Sequence, residues 1–165
     1  MHPEIVKFPS KEFYQNKIEN KVVLKEIKYD FNKMFNLPNN NKPLFFIHNE
    51  GKEALMENSG SKSNEEEAKL VALFMAKLIE CGADFNNIGI ITPYTAQKKL
   101  IQKKWEEKYK NLGNLEISSV DGFQGREKDF IILSNVRSNE NNQIGFLKDF
   151  RRLNVSITRA KYGLI

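Results

Sequence analysis

Two polar segments in the C-terminal third of this 165-residue chain hold the residue types that act on phosphates and riboses. The first is Ser119-Val120-Asp121-Gly122-Phe123-Gln124-Gly125-Arg126-Glu127-Lys128-Asp129, and it runs into the apolar residues 130–133. The second is Arg151-Arg152-Leu153-Asn154-Val155-Ser156-Ile157-Thr158-Arg159-Ala160, just before residues 163–165. A carboxylate at Glu127, in a turn opened by Gly125, can accept hydrogen bonds from ribose hydroxyls. A guanidinium at Arg159 can meet charge developing on a transferring γ-phosphate, a contribution of roughly 10³ to 10⁵ in rate that lysine, lacking the planar fork, does not match. Each has a plainer alternative. Glu127 could pair with Arg126 or Lys128 on the surface, and Arg159 could sit on the C-terminal dipole of a helix.

A second set of candidates lies at strand ends. Thr92-Pro93-Tyr94 follows the apolar residues 88–91, and Ser119-Val120 follows residues 115–118. Ligands of open parallel sheets bind outside the carboxyl ends of the strands. A hydroxyl and a free amide there can hold a phosphate oxygen, and Pro93 or Tyr94 offers a flat face to a base. The alternative is that Thr92 and Ser119 only cap helices.

The sequence contains no G-x-x-x-x-G-K-[ST] loop and no acidic pair after an apolar strand to hold magnesium. No metal ligands are expected. A chain with a nucleotide-sensing Glu and Arg but no phosphate cradle owns half a site, and makes sense if a partner domain brings the cradle and the cleft closes on ATP.

The elements that must position these residues are legible as periodic runs. Residues 44–47 and 88–91 read as strands buried on both faces, with 115–118, 130–133 and the start of another at 163–165 following. Ser63 and Glu66 form a capping box, after which Ala68, Val71, Met75 and Leu78 recur at helical spacing up to Gly82. A second helix is expected from Pro93 through Trp105; Lys98, Lys99, Lys103, Lys104, Lys108 and Lys110 make it either a solvated face or a phosphate-facing patch. A third spans residues 151–160 and turns Leu153, Val155, Ile157 and Ala160 inward. The first 43 residues look irregular, with a loop at 36–41. Strand and helix alternate, so the fold class is α/β: a parallel sheet with helices on both faces, in one domain over residues 1–165. The last strand is unfinished, so the chain reads as an excised domain truncated at its C-terminus.

Composition fits this picture. Hydrophobic residues make up 40% and charged residues 28%, and no apolar run is long enough to cross a bilayer. The net charge of +5 favours a polyanionic partner without demanding one. Cys81 alone supports no disulfide framework, which points to a reducing, intracellular compartment, and its place after an apolar helix suggests a small core residue.

Over nearly its whole length the chain resembles the second RecA-like domain of superfamily 1 helicases, in detail the up-frameshift RNA helicases of nonsense-mediated mRNA decay. Met1-His2-Pro3 is similar to the end of a family motif, and Ile88-Gly89-Ile90-Ile91-Thr92-Pro93-Tyr94 to the next one. The two opening segments resemble the family's motifs V and VI, and Asn135-Val136-Arg137-Ser138-Asn139 with Ile144-Gly145-Phe146-Leu147 follows the connection between them. The resemblance implies that Gly125 and Glu127 contact the nucleotide and that Arg159 is an arginine finger. It also implies that Thr92, Pro93, Tyr94, Ser119 and Val120 line a single-stranded RNA track, with Arg126, Arg137 and Asn154 as supports. ATP is then the cofactor, with Mg²⁺ held mainly by a first RecA-like domain. That domain, single-stranded RNA and decay-factor proteins are the implied partners, in the cytoplasm and with no membrane. By itself the chain is expected to be inactive. Gly122 and Phe150 depart from the alanine and proline that the family pattern leads one to expect. Two further readings stand beside this one: a DNA-directed relative, because phosphate and stacking contacts distinguish sugars poorly, and a non-catalytic basic adaptor that binds RNA or protein. An adaptor has no physical need for Glu127 and Arg159.

Overall fold

The computed structural model describes residues 1–20, 29, 42–56 and 59–165. Its centre is a four-stranded parallel sheet, in which the two apolar runs at residues 88–91 and 130–133 pair with neighbours on both sides. In chain order β1 (Glu53–Leu55) and β2 (Lys62–Asn64) form an antiparallel hairpin, and β3 (Ile88–Ile91), β4 (Ile117–Ser118), β5 (Lys128–Leu133) and β6 (Ala160–Leu164) form the main sheet. The order across it is β4-β3-β5-β6, all parallel, with Ile88 opposite Phe130 and Ile90 opposite both Ile132 and Ile117. Every residue of β3 is buried, as a continuous apolar strand in the middle of a sheet should be.

Helices cover both faces, as the alternation of elements requires. On one face α2 (Glu65–Glu80) and α3 (Thr95–Tyr109) place Met75, Leu78, Ile101 and Trp105 against Ile88, Ile90, Phe130 and Ile132. On the other, α1 (Pro3–Tyr14) and α4 (Phe150–Ile157) place Ile5, Val155 and Ile157 against Ile91, Ile131 and Leu164. Phe123, on the connection from β4 to β5, is fully buried in this second layer and crosses β3 at Gly89. A Cβ there would lie 2.5 Å from Phe123 Cζ, so only glycine admits the ring.

Several local expectations need correction. Residues 44–47 are not a strand buried on both faces: Leu44 alone bridges to Leu164, and Phe46 is 91% exposed. Their apolar types suggested a central strand, but the segment lies along an edge and turns alternate residues to solvent. The α2 cap is Asn64 and not Ser63, its side chain accepting from the Glu67 amide at 3.1 Å. Cys81 is the exposed C-cap of that helix, outside the core. The last helix stops at Ile157, which leaves Arg159 in the turn before β6. Its buried residue is Ser156, whose hydroxyl donates to the Arg152 carbonyl at 2.7 Å, while Leu153 is exposed. α1 occupies a stretch expected to be irregular. Pro9 inside it disguised the helix, but Pro3 at its first position, Glu4 in its first turn and the His2 Nδ1 cap on the Glu4 amide are ordinary start signals. The β1–β2 hairpin is too short and polar to announce itself. The loop expected at 36–41 lies outside the described residues.

Candidate functional site

The parallel sheet separates the candidate residues into two groups at opposite ends. Thr92, Pro93 and Tyr94 follow the carboxyl end of β3, and Ser119 and Val120 follow that of β4. The helix after β3 goes to one face of the sheet and the helix after β5 to the other, so a crevice opens between these two strands, the usual ligand position in such sheets. A cavity of about 40 Å³ lies there, lined by Ile91, Pro93, Val120, Leu133, Asn135 and Phe146 among others. That is room for about three waters and not for a base, so a strand would lie over it rather than inside it.

Within this group the residues differ in exposure. Thr92 is 2% exposed, and its Oγ1 is buried without a hydrogen-bond partner. Ser119 is exposed and its hydroxyl oxygen accepts from the Gly122 amide at 3.2 Å, the capping arrangement weighed above. Val120 is buried in the second layer, and the Tyr94 ring meets Phe146 edge-on with centroids 6.4 Å apart. Pro93 is half-buried and walls the cavity.

Arg137 joins this end through Tyr94 and through Glu53, which sequence reasoning did not single out. Its Nε donates to Glu53 Oε2 at 2.7 Å and its Nη1 to the Tyr94 hydroxyl at 3.4 Å, with the two charged side chains 7% and 9% exposed. Glu53 also accepts from the Ser138 amide, from Asn139 Nδ2 and from Lys62. Burial works to raise its pKa, but the hydrogen bonds from Lys62, Arg137, Asn139 and Ser138 outweigh it and hold the carboxyl at about 2. Behind this pair, Gln97 accepts from the Asn64 amide at 2.8 Å and donates to Ser134 Oγ at 3.0 Å, linking α2, α3 and the end of β5. Apart from Lys62, 9 residues from Glu53, these partners are 33 to 86 residues apart in the chain, and no local pattern marks them.

The other group gathers at the amino ends of β5 and β6. Gly125 has φ of 77°, a left-handed conformation natural to glycine, and it turns the chain toward Glu127. Glu127 is exposed and accepts from Lys161 Nζ at 2.9 Å, a surface pair of the kind weighed above but with a different partner. Arg159 donates from Nε to the Val155 carbonyl at 3.1 Å, from Nη1 to the Arg126 carbonyl at 3.1 Å and from Nη2 to Thr158 Oγ1 at 3.0 Å. All three acceptors are neutral. Arg126 belongs to this group too, pairing with Glu116 and lying over the Phe123 ring. Asn154 joins neither group; its Nδ2 donates to the Tyr14 hydroxyl at 2.9 Å, between α4 and α1. The backbone runs between the groups twice, along residues 119–127 and along 150–159, and Arg152 bonds the two paths through Asp121 at 3.2 Å.

Arg159 thus sits on the C-terminal end of α4, the helix-dipole position weighed above, without an acid partner among the described residues, and the amino-end group offers this guanidinium and one exposed carboxylate, which suit a phosphate and a ribose. Among the described residues no group of three or more His, Cys, Asp or Glu side chains could hold a metal ion, and no helix is long and apolar enough to cross a membrane.

A family model described as an AAA domain matches residues 1–165. Over its full length the chain is 45% identical to a putative regulator of nonsense transcripts 1 of Takifugu rubripes, and covers 15% of that protein. It is 44% identical to regulator of nonsense transcripts 1 of Caenorhabditis elegans, covering 16% of it, and 42% identical to the ATP-dependent helicase NAM7 of Saccharomyces cerevisiae, covering 17%. The chain thus spans about a sixth of the length of these curated relatives.

Proposed function

The chain belongs to the AAA domain family and is of the up-frameshift helicase type, and from that premise we propose that it acts as the second RecA-like motor domain of an ATP-dependent 5′-to-3′ RNA helicase of nonsense-mediated mRNA decay. The observation that carries this reading is Arg159. Among the described residues this half-buried guanidinium is held by neutral acceptors alone, one of them the Val155 carbonyl in the last turn of α4, beside a glycine turn and an exposed carboxylate, so its charge stays available to an arriving anion.

In this reading Arg159 is an arginine finger. It leaves the carbonyls of Val155 and Arg126 for the γ-phosphate of an ATP held between this domain and a first RecA-like domain. Glu127 exchanges Lys161 for ribose hydroxyls. Mg²⁺ is held mainly by the domain that carries the phosphate cradle. The carboxyl-end group grips single-stranded RNA over the crevice between β3 and β5. Because residues 119–127 and 150–159 each run from one end of the sheet to the other, a change at the nucleotide reaches the strand contacts through two short rigid paths. Cleft closure shifts those contacts by about one nucleotide and hydrolysis restores them. The protein would work in the cytoplasm with decay factors that bind other regions of the whole molecule.

The test joins this chain to a phosphate-loop domain of the same family type and measures ATP hydrolysis with and without oligouridylate. RNA-stimulated turnover that is absent from the chain alone supports the reading. Turnover by the chain alone, or none by the joined protein, overturns it, and stimulation by oligothymidylate in place of oligouridylate would make the motor DNA-directed.

A further inference from the structure

Beyond the carboxyl end of β5 the backbone makes a turn that its sequence disfavours. Val136 is fully buried and has φ of 70°, in the left-handed region that β-branched residues avoid. Across it the Arg137 amide donates to the Asn135 carbonyl at 2.8 Å, the bond of a γ-turn in its strained, positive-φ form. Such a conformation lasts only where its surroundings over-determine it.

Glu67 supplies the constraint. Both of its carboxylate oxygens accept from the Val136 amide, at 3.1 and 3.0 Å. Glu67 lies in the first turn of α2, where the helix dipole favours its negative charge and the Asn64 cap holds its own amide. Glu53 anchors the far side of the turn through the Ser138 amide and the Arg137 guanidinium. The segment held in this way goes on to place Phe146 and Leu147, which with Asn135 form one wall of the cavity at the strand ends.

We propose that Glu67 is a positioning residue, with Glu53 as its second anchor: it holds the strained turn at Val136 and so fixes the wall over which a single nucleic-acid strand lies. Neither carboxylate needs to touch the strand. Glu67 spends both oxygens on one amide, and Glu53 is buried beneath four donors. The inference rests on reading this surface as the nucleic-acid track.

The experiment compares the full chain with Glu67→Gln and with Glu53→Gln, reading amide hydrogen exchange and the affinity for fluorescein-labelled oligouridylate. In Glu67→Gln the Val136 and Arg137 amides should exchange roughly ten- to a hundredfold faster while Ile90 and Ile132 keep wild-type protection. Oligouridylate should then bind roughly three- to tenfold more weakly. An unchanged Val136 amide overturns the clamp, and so does a loosened turn with undiminished affinity. Equal acceleration at Ile90 and Ile132 would make Glu67 a general scaffold residue and likewise overturn its positioning role, in which case Glu53→Gln, read the same way, decides whether the turn is held from its other side. Failure of the wild-type chain to bind oligouridylate would sink the RNA reading separately, leaving the exchange arm to judge the clamp.

Discussion

Arg159 Nη1 lies 3.1 Å from the carbonyl oxygen of Arg126, so the turn before β6 is bonded to the turn before β5. The two motifs that the sequence separates by about 30 residues meet through this bond, and among the described residues no carboxylate competes for the guanidinium.

Arg159→Ala in the joined two-domain protein should lower RNA-stimulated ATP turnover by roughly 10³ to 10⁵, with oligouridylate affinity unchanged. Arg159→Lys should recover little of the loss, because an ammonium cannot present two parallel donors. Steady-state hydrolysis and fluorescence anisotropy on the same preparations separate the two effects; turnover equal to wild type in Arg159→Ala would remove the finger.

Glu127→Gln should weaken nucleotide binding in the joined protein and barely move thermal stability. Its partner Lys161 is half-exposed, and a pair of that kind contributes about 0 to 1 kcal/mol. Calorimetric titration with a non-hydrolysable ATP analogue, beside a melting curve, checks both halves; unaltered nucleotide affinity would return Glu127 to the role of a surface ion pair.

Glu53 gives the fold an acid limit. Its folded pKa of about 2 lies below the ordinary 4.5, so the stability it contributes is fully present above pH 4.5 and is lost as pH falls toward 2. Melting followed from pH 6 down to the acid limit should show this loss in wild type and a flatter profile in Glu53→Gln, which has no carboxyl to protonate. Parallel profiles would show that the carboxylate is not the linked group.

Gly89→Ala should destabilise the chain by about 1 to 3 kcal/mol through overpacking, because the added methyl meets the buried Phe123 ring. Denaturant unfolding measures the cost. The same variant with Phe123→Leu should recover part of it, since the shorter side chain leaves room over β3.

Much of this architecture could be read before any coordinates. The runs at 88–91 and 130–133, and the helix that buries Val71, Met75 and Leu78, follow from apolar spacing, because each element must hide one face or both. Residues 44–47 misled for the complementary reason: Leu44 and Phe46 have core-type side chains, yet the edge of the sheet leaves them in solvent. Glu53 and Glu67 gave no signal at all, since the groups they hold, at positions 136 to 139, come near only when the hairpin and α2 pack against the end of β5.

The order of residues thus determined an alternating α/β chain and the chemical types available to a site, because periodicity and side-chain chemistry are local properties. Tertiary structure decided where those types act. Parallel pairing of β3, β5 and β6 sends Thr92 and Pro93 to one end of the sheet and Glu127 and Arg159 to the other. The connections 119–127 and 150–159 must cross between those ends, since a parallel strand can be entered only from its amino side.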